Sequence, residues 1–480
     1  MGTKHEGGLF EHRTRYIILL LGWFCLTSIF SNTIALNFTF ICMTKPVSKN
    51  QTQSDVVDSG YFTGELNYEQ GEKSALLWAL GFGTFIGVWP FNYLYLQFGA
   101  RYVFFFAGFL SAFSTLVIPL TAYMGLVWFI GARVLQLTTC YLPESVWGVA
   151  YGADFAAIGV ITVRWASLKQ NGVFIAVLTS FNSLSTLITN PISGLLCESS
   201  LGWPAVYYVH AAFGIFIFTV WILFYRDEPE MHKNVSGIEL EKIRREKSEG
   251  YISNEKYVPY WAIIKNPAIL IIWLNAFVEI VSALFLLSYG PTYIKYVLNI
   301  SVEGTGFLVA LQGLSFLPFR IAAGFMSDQI KCMNEYQKMI FFNTLSLVGA
   351  GIFYCIVGFI PPEKTSLSVF AIAVTHAVMA FNVGGFYKCG TFVARQHSHF
   401  VISNIQFIKC VALFISPLLV AIFVTDDSVQ EQWRIIFIIL AVSLFVANFA
   451  FCLIATDQPA KFTTLHPDKK RHDLGTASIS

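Results

Sequence analysis

Charge is what this 480-residue sequence has least of: Asp, Glu, Lys and Arg together make up 12% of it, against about 25% in an ordinary soluble domain. Apolar residues reach 55%, and a water-soluble chain of that composition would have no means of covering its surface. A bilayer removes the difficulty, because there the solvent is itself apolar. The net charge of only +2 excludes the strongly basic face that a nucleic-acid partner requires. No CxxC pair occurs among the nine cysteines, so neither a disulfide framework nor a zinc site is expected. Cys25, Cys355, Cys389, Cys452 and the rest read as buried free thiols, and no metal or cofactor is called for. There is no Gly-rich loop ending in Lys-Ser or Lys-Thr, which excludes ATP hydrolysis as the source of energy. There is no HExxH and no GxSG nucleophile either, so the chain does not read as an intramembrane enzyme. No cleavable leader is expected either: residues 1–15 are polar, and the apolar run 16–38 is too long for a signal core. That first run is expected to stay as an anchor.

What is present is long apolar runs rich in aromatics, with 46 Phe, 21 Tyr and 11 Trp. Twelve of them are roughly 20 residues long, the length that crosses a bilayer. The expected architecture is an all-α membrane protein with twelve transmembrane helices in two six-helix bundles, 16–225 and 266–457. A polar central loop, 226–265, divides the bundles, and 1–15 and 458–480 form the two tails. Most of the 31 Lys and Arg fall on one side of this scheme, with Lys45, Lys49 and Lys364 on the other. By the positive-inside rule both termini are then cytoplasmic. In the central loop Ser236-Gly237-Ile238-Glu239 reads as a capping box opening an amphipathic surface helix.

The halves look like distant copies. Phe98-Gly99-Ala100-Arg101 follows the second span and Gly324-Phe325-Met326-Ser327-Asp328 the eighth. Trp203 precedes the sixth span and Trp433 the twelfth. Paired halves with a binding site at the midplane are the plan of a rocking secondary transporter. One stretch departs from it. The run 127–164 is too long for one span and too short for two, and residues 137–147, which include Pro143, read as an insertion within the fourth or, alternatively, as a genuine outer kink.

The ordered motifs resemble the major facilitator superfamily, and within it the anion:cation symporter branch that includes sodium–phosphate cotransporters, sialin and vesicular glutamate transporters. The resemblance rests on Arg133-Val134-Leu135-Gln136 and Arg164-Trp165-Ala166 in the fourth span, Gly202-Trp203-Pro204 with Tyr207-Tyr208 before the sixth, and Tyr289-Gly290-Pro291-Thr292-Tyr293-Ile294 after the seventh. The central loop adds Pro229, His232, Val235-Ser236 and Glu239. The chain also departs from the pattern. In the gating motif Gly99, Arg101, Gly324 and Asp328 remain, but Leu96 and Gln97 stand where an acid and a base are usual. Ser31 replaces a common first-span arginine. Tyr151 stands at a usual acidic place, with Asp154 the nearest carboxylate, and Glu279 lies near an arginine position of the glutamate transporters.

Ionisable groups at bilayer depth face a cavity or a partner, and each candidate carries two readings. Arg133 either binds a substrate carboxylate or phosphate or reaches to the outer headgroups. Asp154 either carries a proton or is held by neighbouring hydroxyls. Glu279 and Arg320 either form a pair that breaks and re-forms during the cycle, or stand apart with Arg320 directed to the inner face. His210 and His376 read first as hydrogen-bonded core residues and second as proton relays. Asn32 and Asn382 either line a path or join helices. Lys388 and Lys409 read as orienting charges at the inner ends of their spans. The sequons at Asn50 and Asn299 fall on outer loops.

Taken together, the sequence reads as a secondary active transporter of a small anion, inorganic phosphate or organic, driven by a Na+ or H+ gradient through alternating access. A monomer in the plasma membrane or in an endolysosomal or secretory vesicle membrane is expected. The alternative is a non-transporting membrane receptor or scaffold built on a transporter fold.

Overall fold

The computed structural model describes residues 13–43, 66, 68–136, 157–158, 160–162, 164–167, 174, 177–244, 259–395 and 398–464. These residues form helices and short connections. In chain order they are α1 (Thr14–Met43), α2 (Gln70–Met124), α3 (Leu126–Leu135), α4 (Phe181–Glu198), α5 (Gly202–Phe224), α6 (Gly237–Arg244), α7 (Tyr260–Ile264), α8 (Pro267–Tyr296), α9 (Val302–Gln329), α10 (Glu335–Phe359), α11 (Thr365–Met379), α12 (Phe386–Ala394), α13 (Ser398–Phe423) and α14 (Gln430–Ile454). The segment 137–147, with Tyr151 and Asp154, lies outside the described residues, as does Asn50.

Eight helical stretches among the described residues are long and apolar enough to cross a membrane, with shorter apolar helices at Leu126–Leu135 and Phe407–Phe423. The 23 residues of α5 reach roughly 35 Å at 1.5 Å per residue, enough for the hydrocarbon core. Their outward faces are apolar as well. Leu223 is 70% exposed, Phe449 67% and Ile321 66%, an arrangement that water would not tolerate and lipid does. The buried side chains hold the polar residues instead, among them Asn32, Ser111, Thr115, Asn275 and Asn343.

The chain divides into two compact units. The first comprises Met1–Glu246, Phe285–Leu314 and Ser416–Gln430; the second comprises Lys247–Leu284, Ser315–Ile415 and Glu431–Ser480. In the first unit α1 packs on α4 and α5, and α2 packs on α3 and α5. The second half of α8, the start of α9 and the end of α13 belong to this unit too. Asn37 donates to Ser288 Oγ at 3.4 Å, Ser74 Oγ to the Pro417 carbonyl at 3.2 Å, and Lys73 pairs with Asp427 at 2.8 Å. At Gly306 a methyl group would lie 2.5 Å from the Asn190 carbonyl oxygen, so only glycine lets α9 approach α4 this closely.

The same end of the first unit carries a disulfide between Cys42 and Cys197, whose Cα atoms are 6.1 Å apart. This corrects the expectation that every cysteine is a free thiol. The two sulfurs meet because α1 and α4 are packed neighbours that end side by side, a relation that a separation of 155 residues hides from any local motif. The expectation of burial also fails for Cys332, which is exposed, and for Cys355 and Cys452, which are half-buried.

At the opposite end, the start of the central segment is clamped onto the first unit. Ser236 Oγ accepts the Glu239 amide at 3.2 Å, so the serine half of the expected capping box is present. The glutamate half is redirected. Glu239 is fully buried and accepts the backbone amides of Thr14 at 3.3 Å and Arg15 at 2.9 Å, capping α1 instead of its own helix. His232 bridges the Phe224 carbonyl, at 3.1 Å, and the Asn234 amide, at 3.2 Å.

In the second unit α10 packs on α11, and three buried asparagines tie α8, α10 and α14 together. Asn343 Nδ2 donates to Asn275 Oδ1 at 3.1 Å and to Asn448 Oδ1 at 2.9 Å. Asn275 Nδ2 donates in turn to the carbonyls of Ile271 and Ala447. Such bonds hold helices together where the hydrophobic effect between them is absent. Lys388, expected as an orienting charge, meets Ser327 Oγ at 3.0 Å and Glu335 at 2.9 Å.

Candidate functional site

The first cluster lies inside the first unit, at the end of α3. Arg133 and Gln136 are three positions apart, which puts both on one helix face. Arg133 Nη1 donates to Gln136 Oε1 at 2.5 Å and to the Thr33 carbonyl at 3.5 Å. Gln136 Nε2 donates to the Asn32 carbonyl at 2.9 Å and to Thr115 Oγ1 at 2.7 Å. Asn32 Nδ2 donates to Ser111 Oγ at 3.2 Å. The Tyr207 hydroxyl, bonded to Thr39 at 2.6 Å, stands within electrostatic reach of the guanidinium. Among the described residues no carboxylate contacts Arg133. It is fully buried, and among the described residues its Nε and Nη2 have no hydrogen-bond partner, nor does Asn32 Oδ1. Of the expected residues, then, the structure brings Arg133 and Asn32 together. Gln136 and Tyr207 join them without having been assigned a role; for Gln136 the spacing from Arg133 is the signal that sequence offered.

A second cluster lies inside the second unit. A short 3-10 turn, Ala380–Gly384, follows α11 and presents Asn382, whose Nδ2 donates to Glu279 Oε1 at 3.0 Å. Arg320 acts on Glu279 electrostatically, yet the contact pair expected of them is not formed. Arg320 lies instead over the rings of Phe316 and Tyr387, at 5.6 and 5.7 Å from their centroids. His376 is half-buried, edge-on to Phe316 at 6.5 Å, with Nδ1 unbonded. His210 in the first unit is the bonded core residue expected, its Nδ1 2.7 Å from the Val206 carbonyl oxygen.

The gating motif has a physical content that its letters conceal. Gly99 breaks α2 with φ +74°, a left-handed conformation that suits glycine. A methyl group there would also fall 2.6 Å from the Asp227 carboxyl. Asp227, arriving from beyond α5, accepts the amides of Ala100 at 2.6 Å and Arg101 at 3.3 Å. It caps the second half of α2, so a carboxylate does serve this turn although Leu96 and Gln97 supply none. Burial pushes the Asp227 carboxyl above the usual carboxylate range against the pull of those amides. Arg101 completes the turn, with Nε and Nη2 at 3.2 and 2.9 Å from the Ile222 carbonyl oxygen. Gly324 has open space around it. Asp328 lies within α9, its side chain outside what is described. Asn299 is exposed, with φ 52°, in the connection between α8 and α9.

Apolar helices long enough to cross a bilayer, with ionisable groups turned inward, mark a multi-pass integral membrane protein. Residues 16–417 match the Major Facilitator Superfamily, and the chain belongs to it. It is similar to human sialin, 25% identical over 389 residues that span 79% of this chain and 74% of the relative. It is equally similar to sodium-dependent phosphate transport protein 1 of Mus musculus, 25% identical over 91% of this chain and 93% of that one. Among solved structures a D-xylose-proton symporter superposes with a TM-score of 0.67 over 94% of this chain and 99% of its own, at 13% identity. A bacterial homologue of the lysosomal transporter Spinster gives 0.66 over 92% and 97%, also at 13%. These likenesses show the fold.

Proposed function

We propose that the chain is a secondary active transporter of a small anion, phosphate or organic, and that Arg133 receives the anion's charge. The observation that carries this reading is the guanidinium itself, fully buried and bonded through one nitrogen while Nε and Nη2 face no acceptor. An ionised group left unpaired at bilayer depth costs roughly several kcal/mol. A planar fork with two free donors matches a carboxylate or a phosphate. Relatives named for phosphate and for urate support the same sign of cargo.

A gradient of Na+ or H+ would drive the cycle, by alternating access about the two halves. The disulfide supports the orientation read from the Lys and Arg distribution. Disulfides persist in oxidising compartments, so the Cys42–Cys197 pair suits the outer or lumenal side that this orientation gives it.

The test is uptake by purified protein in liposomes, offered labelled phosphate, succinate, glutamate and glucuronate under separate Na+ and H+ gradients. Accumulation of one of these is expected, with Arg133→Gln lower by at least about tenfold, the equivalent of 1.4 kcal/mol. Folded protein that accumulates none of them would favour a receptor or scaffold instead.

A further inference from the structure

Glu279 lies on α8 within the second unit, 5% exposed. Its one hydrogen bond comes from Asn382 Nδ2, at 3.0 Å, and no Lys or Arg of the described residues is within ion-pair distance of it. The charged and titratable groups that act on it are Arg320 of α9, Tyr354 of α10 and Tyr387 of α12. None is placed to neutralise a carboxylate by contact. Tyr354 gives its hydroxyl to the Ser282 carbonyl at 2.7 Å, and Arg320 is held over Phe316 and Tyr387.

The second observation is on Asn382. Its Oδ1 is buried and has no hydrogen-bond partner among the described residues, although the same amide already donates through Nδ2. A carboxylate cannot satisfy that oxygen, since both are acceptors. A carboxylic acid can: its O–H donates to Oδ1 while its carbonyl oxygen accepts from Nδ2, closing a two-bond acid–amide pair. Burial of a carboxyl without a contacting cation favours the same form.

We infer that Glu279 is the neutral acid in this conformation and that the proton it carries is the ion that drives transport. The inference rests on the transporter reading and narrows its coupling ion to H+. In the cycle the carboxylate takes a proton from water on one side, forming one O–H bond, and Asn382 holds the acid. On the other side Arg320 closes on Glu279, the O–H bond breaks, the proton leaves to water and the carboxylate pairs with the guanidinium.

The experiment uses the full chain in lipid, with infrared titration of wild type, Glu279→Gln and Asn382→Leu. Wild type should show a protonated carboxyl stretch at neutral pH that fades as the medium becomes alkaline and is missing from Glu279→Gln. Asn382→Leu should move that band to higher frequency, because the carbonyl loses its donor. In liposomes offered phosphate, succinate, glutamate or glucuronate, Glu279→Gln should lose accumulation driven by a pH gradient. A neutral-pH spectrum without the band, or accumulation by Glu279→Gln equal to wild type, overturns the inference. So does accumulation by wild type that follows a Na+ gradient at equal pH. If no form moves any of the four anions, the transporter reading fails and the coupling claim with it, while the band still decides whether Glu279 is an acid.

Discussion

Glu239 accepts the backbone amide of Arg15 at 2.9 Å, so the first turn of α1 is capped by a residue 224 positions later in the chain. The first turn of a helix leaves amides without partners and carries a partial positive charge, and a carboxylate answers both. Thr14 reinforces the clamp by donating its hydroxyl to the Asn234 carbonyl at 2.9 Å.

Replacing Glu239 with Ala should therefore destabilise the protein by about 1–2 kcal/mol, the range for losing a helix cap. Glu239→Gln, which keeps an acceptor and loses the charge, should fall between Ala and wild type. Thermal unfolding in detergent gives the order. Equal midpoints for all three would show that the clamp contributes nothing.

Gly99 and Asp227 form a second such pair. Gly99→Ala combines a left-handed backbone with a collision against the carboxyl, and should cost about 1–3 kcal/mol. The carboxyl also predicts a pH dependence. Its folded-state pKa is raised above the ordinary 3.8, so the folded protein holds this proton more tightly than the unfolded chain. Stability from this group is then greatest below the ordinary value and declines as pH rises through the interval above it. Asp227→Asn should lack that component of the decline, which unfolding midpoints across the acidic range would reveal.

The disulfide should matter to stability and report on topology. Mutating Cys42 and Cys197 together to Ser should lower stability by about 2–5 kcal/mol. On intact cells or vesicles, maleimide labelling after mild reduction should reach both thiols only from the outer or lumenal side. Labelling from the cytoplasmic side would invert the orientation proposed above.

Asn343 is the hub of the buried amide network in the second unit. Asn343→Leu removes the donor that Asn275 and Asn448 share, and should cost about 1–2 kcal/mol on the scale measured for bonds between membrane helices. Asn448→Leu should cost less, since Asn343 keeps Asn275 as a partner. The reverse order, read from unfolding midpoints, would mean that the network is not centred on Asn343.

What could be read from the sequence follows from the range of the physics involved. The apolar runs are legible because a bilayer demands roughly 20 residues of one character in a row. Arg133, Glu279 and Arg320 stand out for the converse reason, as charges where charge is costly. The partners were not legible. Ser236 and Glu239 look like a box closed on itself, and nothing local says that the glutamate turns to α1. Cys42 and Cys197 carry no spacing that marks a pair. The absence of an acid at Leu96 and Gln97 suggested a degraded turn, whereas Asp227 reaches the same amides from the end of α5. Each of these is a long-range contact, fixed by packing and not by neighbours in sequence. Asn382 was legible as a polar residue in an apolar run, but its bond to Glu279 depends on the 3-10 turn that presents it.

The most direct test of the central claim is whether anions stabilise the purified protein through Arg133. A ligand that binds only the folded form raises the unfolding midpoint in proportion to the logarithm of its concentration over Kd. Phosphate, succinate, glutamate and glucuronate would be titrated against wild type, Arg133→Lys and Arg133→Gln. At least one anion should raise the wild-type midpoint in a saturable way, Arg133→Lys should respond weakly because a point charge cannot replace the planar fork, and Arg133→Gln should not respond. Equal stabilisation of Arg133→Gln and wild type by the same anion would contradict the assignment of Arg133 as the anion's partner.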